Sequence, residues 1–161
     1  MVRGIDKFRE YFSDFNDHYI IIGGTARDYA ISEAGFTPKG TKDIDIILII
    51  EALSQKFVRK FWEFIKNGNY GSKETNSKER KYYRFTNPEM ENYPSEIELF
   101  SRKPDTIQIP EGINLTLIPT DESLSNLSAI MLNNDYYHFI LDHCRVYEGL
   151  RLASTEALKC L

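Results

Sequence analysis

Two apolar segments joined through a pair of glycines constrain the fold of this chain most strongly. Residues 19–22 are Tyr-Ile-Ile-Ile, and Gly-Gly-Thr follows directly at 23–25. Residues 43–50, Asp-Ile-Asp-Ile-Ile-Leu-Ile-Ile, form a second apolar segment. Apolar runs of this length are typical of strands buried on both faces of a sheet. The pattern predicts a strand, a glycine turn, a short helix and a second, central strand.

Asp43 and Asp45 are the charged residues of the second segment. Side chains two positions apart leave the same face of a strand, so both carboxylates point the same way. Such a pair repels itself unless a cation lies between the oxygens, and Mg²⁺ favours carboxylate ligands together with substrate phosphates. The alternative is an edge strand whose two aspartates face water. The first interpretation predicts a divalent metal site.

The glycine turn supplies the second half of a candidate site. Gly23 and Gly24 precede a helix, whose first N–H groups can bind an anion; an ordinary turn that needs small residues is the alternative. Thr25 and Asp28 have the form of a capping box, and Thr25 is also a candidate phosphate donor. Arg27 either faces phosphate or is solvated. A phosphate site beside a metal pair indicates nucleotide chemistry.

The segments Gly23-Gly24-Thr25 and Asp43-Ile44-Asp45 together resemble the signature of the DNA polymerase β nucleotidyltransferase superfamily. The sequences of these two segments are most similar to those of small bacterial nucleotidyltransferase-like proteins, including toxins of the abortive-infection type. The spacer between the two segments is longer here than in the smallest members. The resemblance implies an α+β domain with a mixed central sheet flanked by helices. It also implies transfer of NMP from an NTP with Mg²⁺ or Mn²⁺, with Gly23, Gly24, Thr25 and Arg27 at the triphosphate.

Two-metal transfer needs a third carboxylate on an adjacent strand. Glu98 lies between Ile97 and Leu99 in a predicted strand, and a charged side chain between apolar strand residues indicates a functional role. Glu96 lies on the same face of that strand and is the alternative. In the superfamily the carboxylate directly precedes a hydrophobic pair, as Glu98 does, although most members carry aspartate there. The expected catalytic and metal-binding set is therefore Asp43, Asp45 and Glu98.

Composition limits the partners. The chain has 161 residues, so we expect a single domain over 1–161, and its net charge of −4 argues against a broad electrostatic grip on nucleic acid. The acceptor stays open between RNA, protein and a small molecule, and an antitoxin is a further candidate partner. No apolar run has the length of a membrane span, the N-terminus is too charged for a signal peptide, and two cysteines without ligand spacing favour the cytoplasm.

Periodicity and turn residues predict the remaining elements. The predicted helices are 4–15, a helix from Thr25 that Gly35 ends, 52–67 and 135–144; the predicted strands are 18–22, 43–50, 81–85, 96–100 and 113–118, with a polar loop at 68–79 and a hairpin at 146–152. Residues 154–161 begin a helix that stops early, which indicates a truncated chain or a shortened natural variant. Arg80, Lys81 and Arg84 contact phosphate or form a solvated strand face.

Two functions from different classes follow from these residues. The first is a metal-dependent nucleotidyltransferase that acts on an unidentified acceptor. The second is a catalytically inactive nucleotide-binding or protein-interaction module of the same fold. The glutamate in place of aspartate at position 98 favours the second function.

Overall fold

The computed structural model describes residues 2–49, 54–71, 82–100, 116–117 and 134–159. Five α-helices and seven strands lie within these ranges. The helices are α1 (Ile5–Phe12), α2 (Gly23–Glu33), α3 (Gln55–Gly68), α4 (Asn134–Asp142) and α5 (Thr155–Lys159); the strands are β1 (Tyr19–Ile22), β2 (Asp43–Leu48), β3 (Tyr82–Thr86), β4 (Glu96–Phe100), β5 (Thr116–Leu117), β6 (Cys144–Tyr147) and β7 (Leu150–Ala153).

The strands form one mixed sheet in the order β5-β3-β4-β2-β1-β7-β6. Strand β2 lies between β1, to which it is antiparallel, and β4, to which it is parallel. The expected α+β fold with a mixed central sheet is confirmed. Because β2 is bordered on both sides, the alternative of an edge strand for the two aspartates is wrong.

An aromatic core packs α1 and α3 against one face of the sheet. The ring of Phe8 meets Tyr19 of β1 edge-on at 5.4 Å between centroids, and Phe12 lies 5.3 Å from Phe64 of α3. Phe61 of α3 lies 5.7 Å from Phe85 of β3. All six side chains are buried. The helical spacing of aromatic residues therefore predicted the buried faces of both helices correctly.

The ends of α3 follow from local residue chemistry. Ser54 precedes the helix in an extended conformation, and its hydroxyl accepts a hydrogen bond from the Phe57 N–H at 3.2 Å. Such a cap satisfies one of the unpaired donors at a helix start. Asn69 ends the helix with a left-handed φ of 49°. The helix thus begins three residues later than predicted, and residues 50–53 lie outside the described part.

Helix α2 begins at Gly23, two residues before the predicted start, and the predicted capping box is wrong. The Thr25 hydroxyl donates to the carbonyl of Asp43 at 2.7 Å instead of capping the helix. Gly35 ends the helix as predicted, with φ +85°, and its N–H donates to the Ser32 carbonyl. A left-handed residue after a helix is the usual place for glycine.

The predicted hairpin is present as β6 and β7, turning at Glu148 and Gly149. Both turn residues have positive φ, which suits the twist of a two-residue hairpin loop. Of the predicted strand 113–118, the structure describes Thr116 and Leu117; Arg80, Lys81 and most of the predicted loop 68–79 lie outside the described residues. No helix of the described part is long and apolar enough to cross a membrane.

Candidate active site on the central strands

Four carboxylates lie side by side on the two central parallel strands. The register pairs Asp43 of β2 with Glu96 of β4, and Asp45 with Glu98. Directly paired residues of neighbouring strands share a face of the sheet, so all four side chains leave the same face. Both glutamates that the sequence left as alternatives therefore lie beside the aspartates. We call these four residues the acidic face.

The glycine turn reaches this face through Gly23. Ile22 of β1 pairs with Asp45 of β2, so the next residue lies beside that carboxylate. Gly23 has φ +66°, a left-handed conformation, and a Cβ built there would overlap the Asp45 Oδ2 atom. Only glycine combines this φ with so close an approach. The first residue of α2 is thus held against the acidic face.

This contact predicts a large cost for a single methyl group. We expect Gly23→Ala to lower the free energy of unfolding by roughly 2–3 kcal/mol, because it adds left-handed strain and displaces the half-buried Asp45 carboxylate. The matched control is Gly40→Ala, since Gly40 has φ +86° and no atom within 4 Å of an added Cβ. That control should cost roughly 1 kcal/mol from strain alone. Urea denaturation measures both, and equal costs would contradict the contact.

The other residues expected at a triphosphate have different environments. Gly24 is half-buried and free of positive φ, and its added Cβ would lie 2.9 Å from the Thr41 hydroxyl. Thr25 is 1% exposed and its hydroxyl donates to the carbonyl of Asp43, which ties α2 to β2. Its expected role as a phosphate donor stays a prediction. Arg27 is exposed beside a shallow groove between α2 and α5.

Arg84 is the member of this site whose role the sequence did not reveal. It lies on β3 opposite Glu98, and its Nε and Nη2 atoms donate to Glu98 Oε1 at 2.9 and 2.6 Å. Its Nε atom also lies 3.1 Å from Glu96 Oε1. Arg84 is therefore neither a solvated strand residue nor free for phosphate. Its alternation with the buried Phe85 was a signal for its face, but the pairing with β4 was not readable.

The acidic face carries more negative charge than Arg84 balances. Four ionised carboxylates and one guanidinium would leave a net charge of −3. Burial raises the pKa of Asp45 to about 8, and the charge of Glu98 and a hydrogen bond with it add to this rise. Burial and then the charge of Asp43 raise the pKa of Glu96 to about 7, although Arg84 opposes the change. The face therefore retains protons near neutral pH.

The pKa of Asp43 is raised as well, first by burial and then by the charge of Glu98. Each of these shifts has the direction expected for like charges crowded away from water. Since a bound cation favours the ionised carboxylates, metal binding at this face would release protons and would strengthen as the pH rises.

The donor set fits a divalent cation in chemistry and charge. Carboxylate oxygens are the ligands that Mg²⁺ and Mn²⁺ accept, and the excess negative charge lies on one face. Among the residues that the structure describes, however, no three His, Cys, Asp or Glu side chains are already grouped as a metal site. The Oε1 atoms of the two glutamates instead contact Arg84.

Comparison with known proteins gives no significant match to a protein-family model, a curated protein or a solved structure. The resemblance to nucleotidyltransferases thus depends on the residues of the glycine turn and the two aspartates.

Proposed function

We propose that this chain is a metal-dependent nucleotidyltransferase that moves NMP from an NTP to an acceptor. The observation that carries the proposal is the contact between Gly23 and Asp45. It sets the N-terminus of α2, a favourable place for phosphate, against carboxylates that favour a divalent cation. In-line nucleotidyl transfer needs these two features next to each other.

The chain's own residues divide the work as follows. Asp43, Asp45 and Glu98 would hold Mg²⁺ or Mn²⁺, which when bound lowers the pKa of an attacking hydroxyl and neutralises pyrophosphate. The N–H groups around Gly23 and Gly24 bind and orient the triphosphate. Arg27, at the exposed side of the same helix, neutralises phosphate charge.

Glu96 stays the alternative third carboxylate. Its side chain is 27% exposed, whereas that of Glu98 is 10% exposed, and a ligand that water and nucleotide can reach suits a catalytic ion. Its partner in the register is Asp43. Glu98 remains the choice that the order of residues favours, because Leu99 and Phe100 follow it.

The acceptor is RNA, a protein or a small molecule, and an antitoxin is the candidate partner that the toxin resemblance suggests. We place the reaction in the cytoplasm. The support is the free thiol of Cys144, which agrees with a reducing compartment.

Calorimetric titration of NTP with Mg²⁺ into the protein tests the nucleotide site. We expect measurable binding by the wild type, and Gly24→Val should weaken it by more than about tenfold, because the side chain blocks backbone approach to phosphate and displaces Thr41. The control Ala34→Val introduces the same side chain at the exposed C-terminal end of α2. Absence of binding by the wild type with any NTP would count against the enzyme.

A catalytically inactive module of the same fold is the second candidate. The observation that favours it is the pairing of Arg84 with both glutamates, which satisfies part of the acidic face without a metal ion. Binding of NTP without transfer to any acceptor in a cell extract would support this module.

A further inference from the structure

We infer that Arg84 is the resident counter-cation of the acidic face, and that a divalent cation must displace it from Glu96 and Glu98 in order to bind. The inference rests on the proposed function, since it concerns the same carboxylates. It makes Arg84 a positioning residue that sets the metal affinity of the site.

Arg84 contacts the same glutamate oxygens that a shared metal ion would need. Two nitrogens of its guanidinium contact Glu98 Oε1 at 2.6 and 2.9 Å, and the Nε atom lies 3.1 Å from Glu96 Oε1. A guanidinium is a planar fork with fixed donor directions, so it holds these two oxygens in one arrangement. Oxygens directed at this fork are not directed at a common metal position.

The contact between Arg84 and Glu98 is more buried than a surface ion pair. Glu98 is 8% exposed and Arg84 is half-buried, so water screens their attraction less than at an open surface. Lys42 also acts on the face, through Asp43, and it is exposed. Among the described residues, both glutamates form ion pairs with Arg84.

Displacement follows from charge and from shared ligands. One oxygen of Glu98 already accepts hydrogen bonds from Arg84, and one oxygen of Glu96 forms an ion pair with it. A divalent cation brought to the same oxygens would also be repelled by the guanidinium. Two cations a few ångströms apart in partly buried surroundings repel each other more strongly than they would in bulk water. Removing the guanidinium removes this repulsion, which should raise the metal affinity measurably.

Mn²⁺ titration into the whole 161-residue chain, freed of metal, tests the inference. We expect Arg84→Gln to bind Mn²⁺ at least about tenfold more tightly than the wild type, because the variant frees both oxygens and removes one positive charge. The matched control is Arg145→Gln, which breaks the ion pair of Arg145 with Glu33 on another part of the surface. This control should bind Mn²⁺ as the wild type does.

Thermal unfolding supplies a second measurement. Arg84→Gln leaves the buried Glu98 unpaired, so its melting temperature without metal should fall, and Mn²⁺ should raise it more than that of the wild type. Adding Asp45→Asn to Arg84→Gln should remove the tighter binding, which would locate the ion on the acidic face.

An unchanged or weaker affinity in folded Arg84→Gln would overturn the inference, and Mn²⁺ binding by the wild type would leave the proposed function standing. Absence of binding by both proteins would overturn the inference and the metal role together. If Arg84→Gln does not fold, Arg84→Lys decides the matter: an ammonium cannot hold both glutamates in one fork, so tighter Mn²⁺ binding is expected and equal binding overturns the inference.

Discussion

Replacing Asp43 and Asp45 together with asparagine is expected to lower nucleotide transfer by more than roughly a thousandfold. The physical reason is that both variants keep nearly the same shape and lose the negative charge that would hold the metal ion. Labelled NTPs incubated with a cell extract measure the transfer, with the acceptor detected by its label. Circular dichroism checks that the double variant is folded.

The matched control for this experiment neutralises two carboxylates elsewhere. Asp14 and Glu91 are exposed, and Asp14→Asn with Glu91→Gln should label the acceptor as the wild type does. Equal labelling by the wild type and by the variant of Asp43 and Asp45 would show that transfer occurs at another site. Lack of labelling by the wild type, together with NTP binding, would support the inactive module.

The second large effect concerns pH. The metal-free wild type should lose stability relative to Asp45→Asn as the pH rises from about 4 to 8, by roughly 3–5 kcal/mol. In the folded protein Asp45 keeps its proton up to a pKa of about 8, whereas an unfolded aspartate ionises near pH ~3.9. Between these values the unfolded state binds fewer protons than the folded state, so rising pH favours unfolding. Asparagine does not titrate, and the variant should lack this loss.

Urea denaturation at several pH values, with a chelator present, measures the difference between the two proteins. Exposed Asp14→Asn serves as the control and should follow the wild type across the range. Parallel pH profiles of stability for Asp45→Asn and the wild type would contradict the raised pKa of Asp45 in the acidic face. Glu96, whose pKa is raised to about 7, should add a loss of the same sign in both proteins.

Several local features of the fold could be predicted from the sequence. The aromatic spacing of α1 and α3 predicted their buried faces, and Gly35 and the pair Glu148-Gly149 predicted a helix end and a hairpin. These features depend on residues close together in the chain, where periodicity and left-handed φ leave a clear pattern. Helix starts were less accurate, because Thr25 bonds to a strand carbonyl rather than to its own helix.

For the candidate site, the sequence by itself determined that Asp43 and Asp45 share one face of an apolar strand and that a glycine turn precedes α2. Tertiary structure decided which partners they meet. The register of β2, β4 and β3 brings Glu96, Glu98 and Arg84 together, although the strands lie far apart in sequence. A shift of one residue in that register would turn every one of these side chains to the other face, and local periodicity carries no information about it.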